Sequence, residues 1–147
     1  MKTRKNNKRL RKPRSKKQKG RGNDADSKLI EGVNTGDIDM VRESFLEGAD
    51  PNTTEYGISL LFNAILEGTE FVKLFLEKGA DPNAKNSSGE PALITSFSES
   101  IDIVKMLLEK GADPNIATRN GETALMFAIF NEASIDNFEI VKLLLEK

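Results

Sequence analysis

The chain has 147 residues, 37% of them hydrophobic, with no cysteine and no histidine. That length suits one compact domain or one short solenoid, and the missing residue types exclude disulfides, thiolate chemistry, Cys/His zinc sites and histidine-based acid–base catalysis. A formal net charge of −1 conceals a polarised chain: residues 1–22 carry twelve Lys/Arg and no acid, so residues 23–147 hold ten basic and twenty-three acidic side chains, a net of −13.

In residues 1–22 Leu10 is the only apolar side chain beyond Met1. Such a stretch cannot bury enough surface to offset its ordering entropy, and a disordered arm is expected over residues 1–26, linker included. Lys8-Arg9-Leu10-Arg11-Lys12 and Arg14-Ser15-Lys16-Lys17 resemble basic nuclear-import signals. The same cations (Lys8, Arg9, Arg11, Lys12, Arg14, Lys16, Lys17) suit a sequence-independent phosphate binder acting through counterion release. A nucleic acid or an import receptor engaging residues 2–21 is therefore a candidate partner, and a solubilising arm with no partner is the plainer alternative. Gly20, Gly22, Asn23 and Asp24 read as linker; no strand precedes them and no Gly-Lys-Ser/Thr follows, so they form no phosphate loop.

The remainder is punctuated by Gly-Ala-Asp-Pro-Asn at residues 48–52, 79–83 and 111–115, 31 and then 32 residues apart. A fixed period in that range is the mark of a stacked repeat. Each copy follows an apolar helical run, and a fourth run, Ile140-Val141-Lys142-Leu143-Leu144-Leu145-Glu146-Lys147, ends where a fourth Gly-Ala-Asp is due. Glycine after a last helical turn suits a left-handed C′ position, Asp and Asn favour turns, and Pro forbids continuation. The pentad thus stops a helix and turns the chain, with no catalytic role.

Four helix–turn–helix units are predicted, over residues 27–52, 53–83, 84–115 and 116–147, the last incomplete. In the first, Asp26 or Ser27 caps an inner helix over 28–34, Gly36 closes it, and Asp37 or Asp39 starts an outer helix with Val41, Phe45 and Leu46 inward. The second has helices over about 59–66 and 70–78, broken at Gly68. The third has 91–98 and 101–110, with Pro91 tolerated at a helix start. The fourth has about 123–131 and 137–147. Turn glycine to outer-helix valine is 15 residues in units two and three (Gly57 to Val72, Gly89 to Val104) but 20 in unit four (Gly121 to Val141), which places a five-residue insertion within 131–137.

The run Gly121-Glu122-Thr123-Ala124-Leu125 through Glu139-Ile140-Val141-Lys142-Leu143-Leu144-Leu145, with Gly-Ala-Asp-Pro-Asn closing each unit, resembles an ankyrin repeat. The likeness covers residues 27–147 and implies an all-α solenoid whose helix pairs are joined by β-turn hairpins. It departs from the family at the inner-helix start. Ser59-Leu60-Leu61-Phe62, Pro91-Ala92-Leu93-Ile94 and Thr123-Ala124-Leu125-Met126 stand where the family has Thr-Pro-Leu-His, so no unit keeps the His and its hydrogen bonding is lost. The Gly-His pair before the outer helix is reduced to Gly68-Thr69 or Ser100.

The resemblance implies binding rather than chemistry, with a protein partner on the concave face and turn tips. Carried over by position, the candidate contacts are Glu55, Tyr56 and Ile58; Ser87, Ser88 and Glu90; and Arg119, Asn120 and Glu122. Leu66 and Glu67, Ser98 and Glu99, and Phe130 and Asn131 join them from the inner-helix ends. Phe45, Phe62, Phe71, Phe75, Phe97 and Phe127 are expected in the core. The acids Glu55, Glu67, Glu90, Glu99 and Glu122 would make a negative groove favouring a basic partner, or simply a solvated face. A chromatin or nucleic-acid adaptor, with the arm on polyanion and the repeats on a protein, is the second reading; a third folds the basic arm onto the acidic body.

No nucleophile–base set or convergent acid pair stands out, so no enzyme activity, cofactor or metal is expected. No apolar stretch reaches membrane-span length and no signal-peptide core follows the basic start, which suggests an intracellular protein, cytoplasmic or nuclear. The apolar last helix implies that the array continues beyond Lys147, or that a partner or second copy covers it.

Overall fold

The computed structural model describes residues 24–130 and 137–147. Among the described residues eight α-helices run in pairs: α1 (Asp24–Thr35) with α2 (Ile38–Leu46), α3 (Leu60–Glu67) with α4 (Thr69–Glu77), α5 (Ala92–Thr95) with α6 (Ile101–Glu109), and α7 (Ala124–Phe130) with α8 (Asn137–Leu145). Strands β1 (Thr54–Glu55) and β2 (Ile58–Ser59) form an antiparallel hairpin before α3. Inner helices α1, α3, α5 and α7 pack in succession, and so do outer helices α2, α4, α6 and α8. The result is the expected helical solenoid with short hairpin loops. Its single core runs through every unit, from Leu29, Val33 and Val41 to Ile140 and Leu144.

The helix starts follow their side chains. Asp37 Oδ1 accepts from the N–H groups of Asp39 and Met40 at α2, Ser59 Oγ from Leu61 at α3, and Ser100 Oγ from Asp102 at α6, satisfying donors that a helix start leaves unpaired. α1 is already helical at Asp24, before the predicted residue 28, so neither Asp26 nor Ser27 caps it. Asp26 instead accepts the Asp50 N–H at 2.8 Å. The third inner helix is shorter than the predicted 91–98: Pro91 is its N-cap, and after Thr95 it tightens into a 3₁₀ turn, Ser96–Ser98. Ser96 is buried there with its hydroxyl donating to Leu93 O at 2.7 Å, a back-bond of the kind that bends helices.

Phe45, Phe62, Phe71 and Phe75 are buried as expected, and Phe45 meets Phe75 edge-on with centroids 5.2 Å apart. Phe97 and Phe127 are only half-buried, paired at 6.1 Å on the inner-helix side. Leu46, predicted inward, points to solvent. It sits two residues before its pentad glycine, the register of the exposed Glu77 and Glu109, whereas Phe45 takes the buried register of Leu76 and Leu108.

The pentad glycines are left-handed, with φ of 93°, 94° and 92° at Gly48, Gly79 and Gly111. The following Asp side chains each accept the N–H two residues on (Asp50 to Asn52, Asp81 to Asn83, Asp113 to Asn115, all 2.9 Å), closing Asx turns rather than capping helices. The Asn has a role that its turn propensity does not reveal. Asn52 Oδ1 accepts the Asp81 N–H at 2.7 Å while its Nδ2 donates to Gly79 O at 3.3 Å. Asn83 repeats both bonds to Asp113 and Gly111 at the same distances. Each Asn thus clamps its unit to the next, and Asp26 fills the acceptor half of that role for the first pentad.

Candidate functional site

The turns between units carry the tips predicted for contact, and their lengths explain the uneven period. Gly57 lies five positions after Asn52, but Gly89 and Gly121 lie six after Asn83 and Asn115. The longer turns close as three-residue loops. Asn86 and Glu90 pair around residues 87–89, with Gly89 N–H on Asn86 O, and Thr118 and Glu122 do the same around 119–121. With one residue fewer, the turn between β1 and β2 has two central residues, Tyr56 and Gly57, with φ of 51° and 79°. Positive φ at both is the type I′ geometry that matches strand twist. Glycine accepts it freely; tyrosine does so at a steric cost of roughly 1–2 kcal/mol. Tyr56 is the one non-glycine at positive φ among the described residues and is 97% exposed.

The inner-helix ends place Leu66 (67% exposed), Glu67, Ser98, Glu99 and Phe130 (81% exposed) on the open face, with Ser87, Ser88, Asn120 and Glu122 exposed at the tips. Several predicted contacts also bond or pack within the fold. Glu55 is half-buried, accepting from Asn34 Nδ2 at 3.1 and 3.2 Å, and Asn34 Oδ1 accepts from Asn63 Nδ2 at 3.2 Å. Ile58 packs against the core, and Glu90 is half-buried beside Asn86. Ser98 donates to Thr95 O and to Glu99. Arg119 lays its stem over Gly89, where a Cβ would come within 2.6 Å of Arg119 Cγ. Asn131 and the arm residues Lys8, Arg9, Arg11, Lys12, Arg14, Lys16 and Lys17 lie outside the described residues.

Acids outnumber bases along the tips and inner-helix ends; of the cations here, Lys85 Nζ donates to Ala117 O at 2.9 Å and the Arg119 stem lies over Gly89. Charges along the outer helices pair instead, with one another or with Lys28 of the inner helix α1. Lys28 bridges Glu43 and Glu47 at 2.9 and 2.8 Å, Arg42 bonds Glu70, and Lys105 bonds Glu139 at 2.8 Å. Those bonds raise the Lys28 pKa, through Glu47 first and Glu43 second, and lower that of Glu139 through Lys105. Among the described residues no group of three or more His, Cys, Asp or Glu could hold a metal, and no helix is long and apolar enough to cross a membrane.

Besides Phe130, the structure exposes apolar groups that the positional transfer missed. α7 reads Ala-Leu-Met-Phe-Ala-Ile-Phe, yet only Ala124 and Ala128 are buried, while Met126, Ile129 and Phe130 are exposed. Phe138 and Leu145 on α8 are exposed too. The signal was present in α7: a segment apolar on every side must either be buried or display part of itself.

Comparison with known proteins agrees with this architecture. A family profile described as ankyrin repeats (3 copies) matches residues 29–118 and again 61–147. The 2-5A-dependent ribonuclease of Mus musculus is 38% identical over 72 residues, which are 47% of this chain and 10% of the ribonuclease.

Proposed function

The chain belongs to the ankyrin repeat family, whose repeats are in general protein–protein interaction modules, and on that premise we propose that it acts as a non-enzymatic scaffold holding a protein partner in its concave face and turn tips. The observation that carries the proposal is Tyr56. An aromatic ring fully in solvent, on a backbone conformation that disfavours it, contributes nothing to the fold that an Asn would not. Aromatic rings are the side chains that most often anchor protein interfaces, and strained non-glycine turns cluster at functional positions. Leu66 and Phe130 extend the apolar contacts along the inner helices, and Glu67, Glu99 and Glu122 favour a partner of basic character. Glu55, Ile58, Ser87, Ser88, Glu90, Ser98, Arg119, Asn120 and Asn131 complete the proposed contact surface, the bound ones as its framework. The ribonuclease named above is matched over a tenth of its length, so its activity is not carried over.

The twelve cations of residues 1–22 favour a second reading, in which the arm holds nucleic acid or an import receptor while the repeats dock a protein. One experiment separates the two. Nuclease-treated extract is passed over 1–147, 23–147 and Tyr56→Asn in parallel, with retained proteins identified by mass spectrometry. A defined protein kept by 23–147 and lost or weakened by Tyr56→Asn is the expected result. If everything retained disappears with the arm or the nuclease, the arm does the binding and the scaffold proposal fails.

A further inference from the structure

We propose that the exposed apolar patch on α7 is a docking surface for residues 8–12 of this same chain, with Leu10 seated against Met126, Phe127 and Phe130. The patch departs from ordinary burial. Seven consecutive apolar residues form α7, yet Met126, Ile129 and Phe130 face solvent, and contiguous exposed apolar surface marks an interaction site. Beside it Glu122, Met126, Phe127 and Phe130 line an open recess of about 240 Å³. That lies below the roughly 300–1,000 Å³ of small-molecule pockets, a size suited to one or two side chains.

The occupant is indicated by charge and composition. Lys8-Arg9-Leu10-Arg11-Lys12 brackets one leucine with four cations, and Leu10 is the only apolar side chain in residues 2–22. Glu122 lines the recess and Glu99 follows the neighbouring inner-helix segment. An apolar recess with a carboxylate in its lining complements a leucine flanked by cations, and the overall charges of arm and body, +12 and −13, have the same complementarity.

Reach permits the contact. The 14 residues from Leu10 to Asp24 span up to about 46–50 Å when extended. α1 and α7 are separated by three inter-helix steps of about 8–10 Å each. One leucine and a few solvent-exposed ion pairs bind weakly between separate molecules. A tether that holds them at roughly millimolar effective concentration makes the contact competitive. A partner for the open face would then have to displace the arm from Phe130.

The test uses the full chain. Since it has no cysteine, Asn7→Cys carries a nitroxide at one defined place, and its broadening of ¹⁵N-amide signals is mapped. Expected is strong broadening at Met126, Ile129 and Phe130, falling by at least half in Leu10→Ser, which retains every cation, and falling again in salt of about 0.5 M, where the Debye length drops to roughly 4 Å. Broadening indifferent to Leu10→Ser, or spread evenly over the acids of the first three units, overturns the proposal. So does broadening that appears only when labelled, NMR-silent chain is mixed with unlabelled ¹⁵N chain, which would assign the patch to a second copy. The proposal shares Phe130 with the scaffold reading but does not depend on it: protein capture by 23–147 is a separate readout that either outcome here leaves intact.

Discussion

Replacing Asn83 and Asn115 by alanine, one at a time, tests whether stacked units are held by the pentad asparagine. Both residues end the same five-residue sequence, so turn propensity predicts equal costs. Their side chains do different things. Asn83 accepts the Asp113 N–H at 2.7 Å and donates to Gly111 O at 3.3 Å, joining two units. Asn115 Nδ2 bonds only within its own turn, to Asp113 Oδ1 at 3.2 Å. Losing two hydrogen bonds of about 0.5–1.5 kcal/mol each gives a range of about 1–3 kcal/mol, and solvent access to the site places the expectation near 1–2. For an ordered region of this size that corresponds to a fall in Tm of about 4–8 °C. Asn115→Ala belongs with surface substitutions, within about 0.5 kcal/mol of wild type. Urea titration of the full chain, followed by far-UV circular dichroism, reads both, and an unchanged m-value confirms that midpoint shifts report stability. Equal losses from the two substitutions, or a larger loss at Asn115, would refute the clamp.

Tyr56→Asn should stabilise the chain by about 0.5–1 kcal/mol, because Asn tolerates the left-handed conformation and the exposed ring gives up no packing. A lower urea midpoint would show that the ring supports the fold. Glu139 should titrate below the ordinary carboxylate value of 4.5, held there first by the Lys105 hydrogen bond and then by its charge. A depressed native pKa contributes stability that is present above the unfolded value and lost as pH falls through the native one. Lys105→Gln should move the Glu139 titration upward, read from its side-chain carboxyl carbon by NMR; an unmoved midpoint refutes the pairing. Lys28 has the opposite sign. Glu47 and Glu43 raise its pKa, so its contribution is complete below about 10.5 and is lost as pH rises through the higher native value.

The repeat period, helix pairing, left-handed pentad glycines and the Asp37 start were all legible in the sequence. They depend on local chemistry: apolar spacing at 3.6 residues, a side chain that reaches its own backbone, a glycine where Cβ is penalised. The same locality explains why Tyr56, Leu66 and Phe130 are exposed, since each position follows from its offset to a turn glycine. What depended on a neighbouring unit was hidden. Nothing in residues 48–52 or 79–83 tells that Asn52 and Asn83 bind a backbone about thirty residues away, nor that Asp26 leaves its helix start to do likewise. Glu55 counted as a free contact until Asn34 was brought beside it, and Leu46 as core until its register put it with Glu77. α7 carried an unmistakable apolar composition, but which of its seven residues would stay in water was decided by what packs against them. Sequence determines what a side chain can reach along its own helix or turn; only tertiary structure decides which groups from distant units arrive to satisfy it, because stacking brings together residues that share no local geometry.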